Sequence, residues 1–199
     1  PAVREQELRC ACRTLGIRPP HLLGYVDGQM AIVHQGQAVG QVVRLIREYR
    51  PHVVITFGPD GVYGHYDHIA AHRWGTIACK LAAEPTCFPD QIQGACAPHH
   101  VSKVYYHVVT QERMRANWPD TPEPAVMMDG VPFPVVGYPR DQITTIIDIT
   151  SYLETKLAGI QCHLTQVGRD SPRIRRMRDH AAEPWVREEA FILAHSTVG

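Results

Sequence analysis

Two histidines and an aspartate, His65, Asp67 and His68, fall within four residues of one another, directly after a turn that carries Gly58, Gly61 and Gly64. Imidazoles at this spacing can divide two jobs. One ring can donate a lone pair to a metal while the other acts as an acid or an electrostatic partner. Asp67 lies between them and could hold one imidazole N–H, fixing its tautomer and raising its pKa. The glycines let the backbone turn sharply and leave room for a substrate. A solvated polar loop, with Asp67 as an ordinary helix cap, fits the same string. So does a phosphate-cradling loop, although the lysine and Ser/Thr of a P-loop and the GxGxxG spacing are absent. His72 stands four residues beyond His68, on the same helical face, but without HExxH it reads as a surface residue or as support behind the site.

The surrounding pattern says what must position this cluster. His52 to Phe57 is a nearly continuous β-branched run, typical of a strand buried on both faces of a parallel sheet. A helix follows from about Asp67 to Leu81, so the cluster sits at the carboxyl end of a strand and at a helix N-terminus. Open α/β sheets bind ligands at that end, and helix N-termini favour negative charge. Upstream, a helix is expected over 3–15, a short strand over Leu22–Val26 ending in the Asp27-Gly28 turn, and a helix over 38–49. In the last, Val39, Val42, Val43 and Ile46 form the apolar stripe, with Arg44, Arg47 and Arg50 off it or near its end. Downstream, strands are expected over 101–109 and 142–149, a helix from Thr150 to about Gln166, an irregular basic run over 168–180, and a last helix over 183–194. Residues 110–140 carry Pro119, Pro122, Pro124, Pro132, Pro134 and Pro139 and read as a long irregular binding loop or lid. Alternating strands and helices imply an α/β fold with a mostly parallel sheet. No repeat and no domain boundary is visible.

Composition removes several classes. The chain has 199 residues, 44% of them hydrophobic, with Lys plus Arg and Asp plus Glu balanced at 20 each. That is enough for a real core, and it lacks the basic excess of a general nucleic-acid binder. No apolar run approaches the ~20 residues that span a bilayer. The six cysteines form no CxxC pair and read as buried, reduced thiols of a cytoplasmic protein.

The string Gly61-Val62-Tyr63-Gly64-His65-Tyr66-Asp67-His68, after Arg50-Pro51-His52-Val53-Val54-Ile55-Thr56, resembles the second signature of the LmbE/PIG-L-like zinc-dependent N-deacetylases. Arg4-Glu5-Gln6-Glu7-Leu8, Leu15-Gly16-Ile17, Leu23-Gly24-Tyr25-Val26-Asp27-Gly28, Lys103-Val104-Tyr105-Tyr106 and residues 156–166 resemble further blocks of that family, in the same order. The resemblance covers most of residues 1–166. It implies a three-layer Rossmann-like fold and removal of N-acyl groups, acetyl above all, from amino-sugar derivatives or glycoconjugates. By the same resemblance His68 is a ligand of Zn2+ or another divalent metal. His65 serves the oxyanion or the leaving amine, Asp67 orients His65, and Tyr63 resembles a mobile tyrosine that can reach the oxyanion, although a hydrophobic anchor for the loop accounts for it equally. Asp27 could accept a sugar hydroxyl, although an Asp-Gly turn accounts for it too, and His163 is structural. A homo-oligomer is compatible with the family.

The family's first signature, Ala-His-Pro-Asp-Asp-Glu, which brings the remaining ligands and the general base, is absent from these residues. The expectation is therefore a single deacetylase domain over 1–199, lacking an N-terminal βαβ unit of roughly 30 residues or more. The alternative is a degenerate, non-catalytic sugar-binding or interaction module with an incomplete metal site.

Overall fold

The computed structural model describes residues 2–93 and 96–198. Along the chain run helix α1 (Ala2–Thr14), helix α2 (Gln35–Tyr49), strand β1 (Val53–Phe57), the one-turn element α3 (Gly61–Gly64) and helix α4 (Tyr66–Leu81). Strand β2 (Lys103–Thr110), helix α5 (Gln111–Asn117) and strands β3 (Ala125–Met128), β4 (Val131–Pro134), β5 (Gly137–Tyr138) and β6 (Thr145–Asp148) follow. Helices α6 (Leu153–Gln161), α7 (Leu164–Val167), α8 (Pro172–Asp179) and α9 (Pro184–Arg187) precede strand β7 (Glu188–Ser196). The contacts divide the chain into two units. The first holds the residues up to Leu23 with Ile147–Glu189, and the second holds Gly24–Ile146 with the residues from Ala190 onward.

The second unit carries the imidazole cluster. Its core joins Ala38, Val39, Val43 and Ile46 of α2 to Ala70, Trp74, Ala78 and Cys79 of α4 and to Val101 and Val104 beneath them. These positions follow i, i+4, i+7 or i+4, i+8 spacing, so each helix buries one stripe. Arg47 lies on that stripe, four residues after Val43, and is 0% exposed. A buried guanidinium survives only when its donors are satisfied. Here they reach the carbonyls of Leu81 (3.3 Å), Ala82 (3.2 Å), Glu84 (2.8 Å), Cys87 (2.8 Å) and Phe88 (3.1 Å). Arg47 thus fastens the turn that follows α4.

Among the described residues the main sheet has the order β1-β2-β7-β6, with β5 also beside β2. β1 pairs parallel with β2, from Val53 opposite Lys103 to Phe57 opposite His107. β5 pairs parallel with the end of β2, and β7 runs antiparallel to it. β1 pairs only with β2 among the described strands, and Val53 (47%) and Ile55 (57%) are exposed rather than buried on both faces as expected.

Several sequence expectations are corrected. Residues 22–26 form no strand. The last helix is confined to α9, and the apolar run Ala190-Phe191-Ile192-Leu193-Ala194 is strand β7, because β2 offers it an antiparallel partner. The basic run is not irregular. Ser171 caps α8 by accepting from the Ile174 N–H. The Pro-rich stretch holds α5 and the hairpin β3–β4, whose Asp129 (φ 50°) and Gly130 (φ 79°) make the left-handed pair that a two-residue hairpin turn requires.

In the first unit Leu153, Leu157, Ile174, Met177 and Val186 make a small core. Glu7 of α1 accepts from the Thr165 N–H (2.6 Å) and hydroxyl (2.7 Å), and Leu15 packs on Gly159. Cys10 and Cys162 form a disulfide, which corrects the expectation of six reduced thiols, while Cys12, Cys79, Cys87 and Cys96 are free. No helix among the described residues is long and apolar enough to cross a membrane.

Candidate functional site

The loop that leaves β1 is shaped by its own carboxylate. Asp60 Oδ1 accepts from the Val62 N–H (3.0 Å), and the Asp60 carbonyl accepts from the Gly64 N–H (2.8 Å). Gly61 (φ 61°) and Gly64 (φ 74°) supply left-handed turns that glycine adopts freely. Val62, between them, does so at a cost. Its φ of 72° and ψ of −44° lie near the γ-turn region that β-branched residues avoid, a strain of about 1–3 kcal/mol. The loop then delivers Tyr63, His65 and His68 to one spot at the carboxyl end of β1.

The rings are stacked. His68 lies face to face on Phe57, the last residue of β1, at 4.0 Å and 6°. On its other ring neighbour, His65, the centroids are 4.7 Å apart at 25°. Tyr63 stands edge-on to both, 5.2 Å from His68 and 5.8 Å from His65.

Hydrogen bonds assign the two imidazoles opposite tautomers. His68 Nδ1 is 3.0 Å from the Gly61 carbonyl oxygen, which can only accept. Nδ1 therefore carries the proton, and Nε2 keeps its lone pair. His65 Nδ1 accepts from the Asp67 N–H at 3.1 Å, as the cap of α4, so a neutral His65 bears its proton on Nε2. One ring offers an electron pair and its neighbour offers a hydrogen. Burial pushes the His68 pKa down, and the adjacent His65 ring acts in the same direction. The Gly61 carbonyl and the charges of Asp67 and Asp27 oppose them in part. Burial, helped by the negative charge of Asp27, pushes the Tyr63 phenol up, so it stays a donor.

Asp67 does something other than expected. It is 6% exposed, and its carboxylate accepts from the Gly28 N–H (2.6 Å) and the Met30 N–H (3.0 Å). The carboxylate thus holds the Asp27-Gly28 turn, not an imidazole N–H, while the backbone of Asp67 orients His65. Asp27 is exposed at that turn and close enough for its charge to act on Tyr63 and His68. His72 donates through Nδ1 to the Phe57 carbonyl (2.9 Å) and packs edge-on against Tyr106, which makes it support behind the site. His163 lies in the first unit, 3.5 Å from Arg4 Nη1.

Sequence reasoning missed Asp60 and Tyr138. Pro59-Asp60 followed directly by Gly61 is a turn signal that marks Asp60 as a backbone acceptor. Nothing in the sequence marks Tyr138, whose hydroxyl donates to Asp60 Oδ2 at 2.9 Å.

As a metal site the donor set is partial. His68 Nε2 is a suitable ligand, whereas His65 Nε2 is protonated in this tautomer and both Asp67 oxygens are occupied by amides. Among the described residues no group of three or more His, Cys, Asp or Glu is placed to hold a metal ion.

Residues 1–79 match the model of the family described as PIG-L, GlcNAc-PI de-N-acetylase. The chain is 34% identical over 219 residues to a 1D-myo-inositol 2-acetamido-2-deoxy-alpha-D-glucopyranoside deacetylase of Streptomyces griseus, covering 98% of this chain and 65% of that protein. It is 32% identical over 220 residues to the protein of the same name from Streptomyces avermitilis, covering 98% of this chain and 72% of that one. The chain therefore spans about two thirds of these relatives' length. Among solved structures, the N,N'-diacetylchitobiose deacetylase of Pyrococcus horikoshii superposes with a TM-score of 0.68 at 18% identity, over 96% of this chain and 63% of that one. At that identity the likeness shows a shared Rossmann-like α/β fold.

Proposed function

The chain belongs to the PIG-L (LmbE-like) family of N-deacetylases, and on that premise we propose that the protein hydrolyses the N-acyl bond of an amino-sugar derivative, releasing acetate and a free amine. One observation carries the reading. Two stacked imidazoles of opposite tautomer, one with a lone pair at Nε2 and one with a hydrogen there, stand at the carboxyl end of β1.

A bound divalent cation, zinc in our proposal, supplies a water of lowered pKa and a polarised amide carbonyl. From this chain His68 would hold it through Nε2, with the tautomer fixed by the Gly61 carbonyl. His65 Nε2–H donates to the carbonyl oxygen as negative charge develops there. The Asp67 N–H on Nδ1 favours this role over acid catalysis, because a second proton on the ring would have to displace that bond. Tyr63, kept neutral, donates to the same oxygen. Asp27 accepts a sugar hydroxyl, and Asp67 keeps the Asp27 turn in place. The proposed partner is a small amino-sugar or glycoconjugate. The names of the two Streptomyces relatives make an N-acetylglucosaminyl inositol the first substrate to try. A cytoplasmic location belongs to the same proposal, and the Cys10–Cys162 disulfide is the observation against it.

A second reading, a sugar-binding module without turnover, is favoured by the partial donor set among the described residues. Metal analysis and an acetate-release assay on His65→Ala and His68→Ala separate the two. The deacetylase reading expects His68→Ala to lose metal. His65→Ala should retain metal and lose about 10²–10³ in kcat. Metal and turnover retained by both variants refute it.

A further inference from the structure

The chemistry above leaves Val62 unexplained. A strained left-handed valine relaxes unless the peptide groups on either side of it are held, and here both are. Its N–H donates to Asp60 Oδ1 at 3.0 Å, and its carbonyl accepts from the Val136 N–H at 2.9 Å. Asp60 is itself held, because its second oxygen accepts the Tyr138 hydroxyl at 2.9 Å. Tyr138 belongs to β5 and is anchored opposite Thr110 at the end of β2. Phe133, in the same segment, sits against Gly64, where an added Cβ would come within 3.1 Å of its ring. The residues from Phe133 to Tyr138 therefore touch the loop at Asp60, Val62 and Gly64, the positions that bracket Tyr63.

We propose that Asp60, locked by Tyr138, is a positioning residue that holds Val62 in its left-handed conformation and so sets Tyr63 against His65 and His68, which makes the 133–138 strap part of the site's alignment. The proposal deepens the deacetylase reading and rests on it for its kinetic consequence, but its structural half stands separately. The lock suits a single carboxylate. Its two oxygens satisfy one local and one distant donor, a backbone amide two residues on and a phenol 78 residues on. Burial and the facing carboxylate push the Tyr138 phenol up to about 12, so it remains a donor across the ordinary pH range.

The test uses the whole protein with four variants: Asp60→Ala, Asp60→Asn, Tyr138→Phe and Asp60→Ala combined with Val62→Gly. Two readouts are taken, imidazole ¹H–¹⁵N NMR shifts of His65 and His68, and kcat and KM for the N-acetylated substrate. Asp60→Ala is expected to move the imidazole resonances and lower kcat about tenfold or more, as a misplaced group does, with KM within about twofold. Tyr138→Phe should give the same pattern more weakly. Asp60→Asn should stay near wild type, since an amide oxygen still accepts from Val62 and the amide nitrogen can donate to the phenol oxygen. Adding Val62→Gly to Asp60→Ala should recover most of kcat, because glycine adopts positive φ without help, whereas a general packing defect would not be rescued. Unchanged imidazole shifts and kcat in Asp60→Ala overturn the proposal, as does failure of Val62→Gly to rescue or a loss confined to KM. If Asp60→Ala does not fold, Tyr138→Phe carries the same test. If the wild-type protein releases no acetate, the deacetylase reading fails. The lock is then judged on the imidazole shifts alone, supported if they move and overturned if they do not.

Discussion

Replacing Gly61 by alanine tests how tightly the loop grips the proposed metal ligand. Gly61 is buried at φ 61°, and an added Cβ would meet His68 Cβ at 3.0 Å, Ile69 Cγ1 at 3.1 Å and the Ile69 backbone nitrogen at 3.2 Å. Two costs add. A left-handed conformation for a residue with a Cβ costs about 1–2 kcal/mol, and overpacking costs about 1–3 kcal/mol. The sum, about 2–5 kcal/mol, should lower Tm by about 4–20 °C for a chain of this size. The Ile69 nitrogen cannot yield, since it donates to the His65 carbonyl within α4, so the loop or the His68 side chain must shift. The Gly61 carbonyl that fixes the His68 tautomer shifts with it, and kcat should fall about 10–100-fold. Gly24→Ala is the internal control. Gly24 has φ 77° but no atom within 4 Å of an added Cβ, so it carries only the conformational cost. Thermal melts of both variants, with turnover measured well below the lower Tm, isolate the packing term. A Gly61→Ala protein that melts and turns over like Gly24→Ala would refute the claim that the turn is closed around His68.

Two further expectations concern stability. Arg47→Met keeps the buried stem but leaves the carbonyls of the turn after α4 without their donor. The cost should be about 3–5 kcal/mol in urea unfolding, and a loss below about 1 kcal/mol would show that water or relaxation replaces the guanidinium. The Glu7 carboxyl is held below its ordinary 4.5, first by the Thr165 N–H and then by the Thr165 hydroxyl and Arg4, against burial. The unfolded chain therefore binds the proton more readily. Glu7 contributes stability above pH 4.5 that is lost as pH falls through its lower folded value. Glu7→Gln should flatten that acid limb in unfolding midpoints taken across it, and an unchanged limb would assign the acid sensitivity elsewhere.

The parts legible in the sequence are those fixed by local pattern. The stripe Val39, Val43, Ile46 gave α2, and the β-branched run gave β1 and with it the end of the sheet where the imidazoles lie. Arg47 lies near the end of α2, but its spacing, four residues after Val43, also puts it on the buried stripe, which its charge conceals. The 190–194 run is apolar in a way that periodicity cannot resolve, and a partner strand far away in sequence decides it. Prolines hid the Asp129-Gly130 hairpin, although that pair is a strong local signal in its own right. The Cys10–Cys162 pairing and the Tyr138–Asp60 bond join residues 152 and 78 positions apart, and no local rule reaches them.

Asp67 shows why residue types alone misassign roles inside such a cluster. A carboxylate between two histidines invites the reading of a charge that polarises an imidazole. In the structure the carboxylate is occupied by two amides of the Asp27 turn, and only the Asp67 N–H addresses His65. The two arrangements differ in consequence. A carboxylate on the ring would stabilise an imidazolium and favour proton delivery. An amide N–H on Nδ1 instead favours the neutral ring with its hydrogen on Nε2, a donor suited to developing negative charge. The same residue joins the Asp27 turn to the His65 ring, since its carboxylate holds the turn and its N–H meets His65 Nδ1. In the proposed reaction, a sugar hydroxyl on Asp27 and hydrogen donation by His65 would thus be linked through one buried side chain and its own backbone.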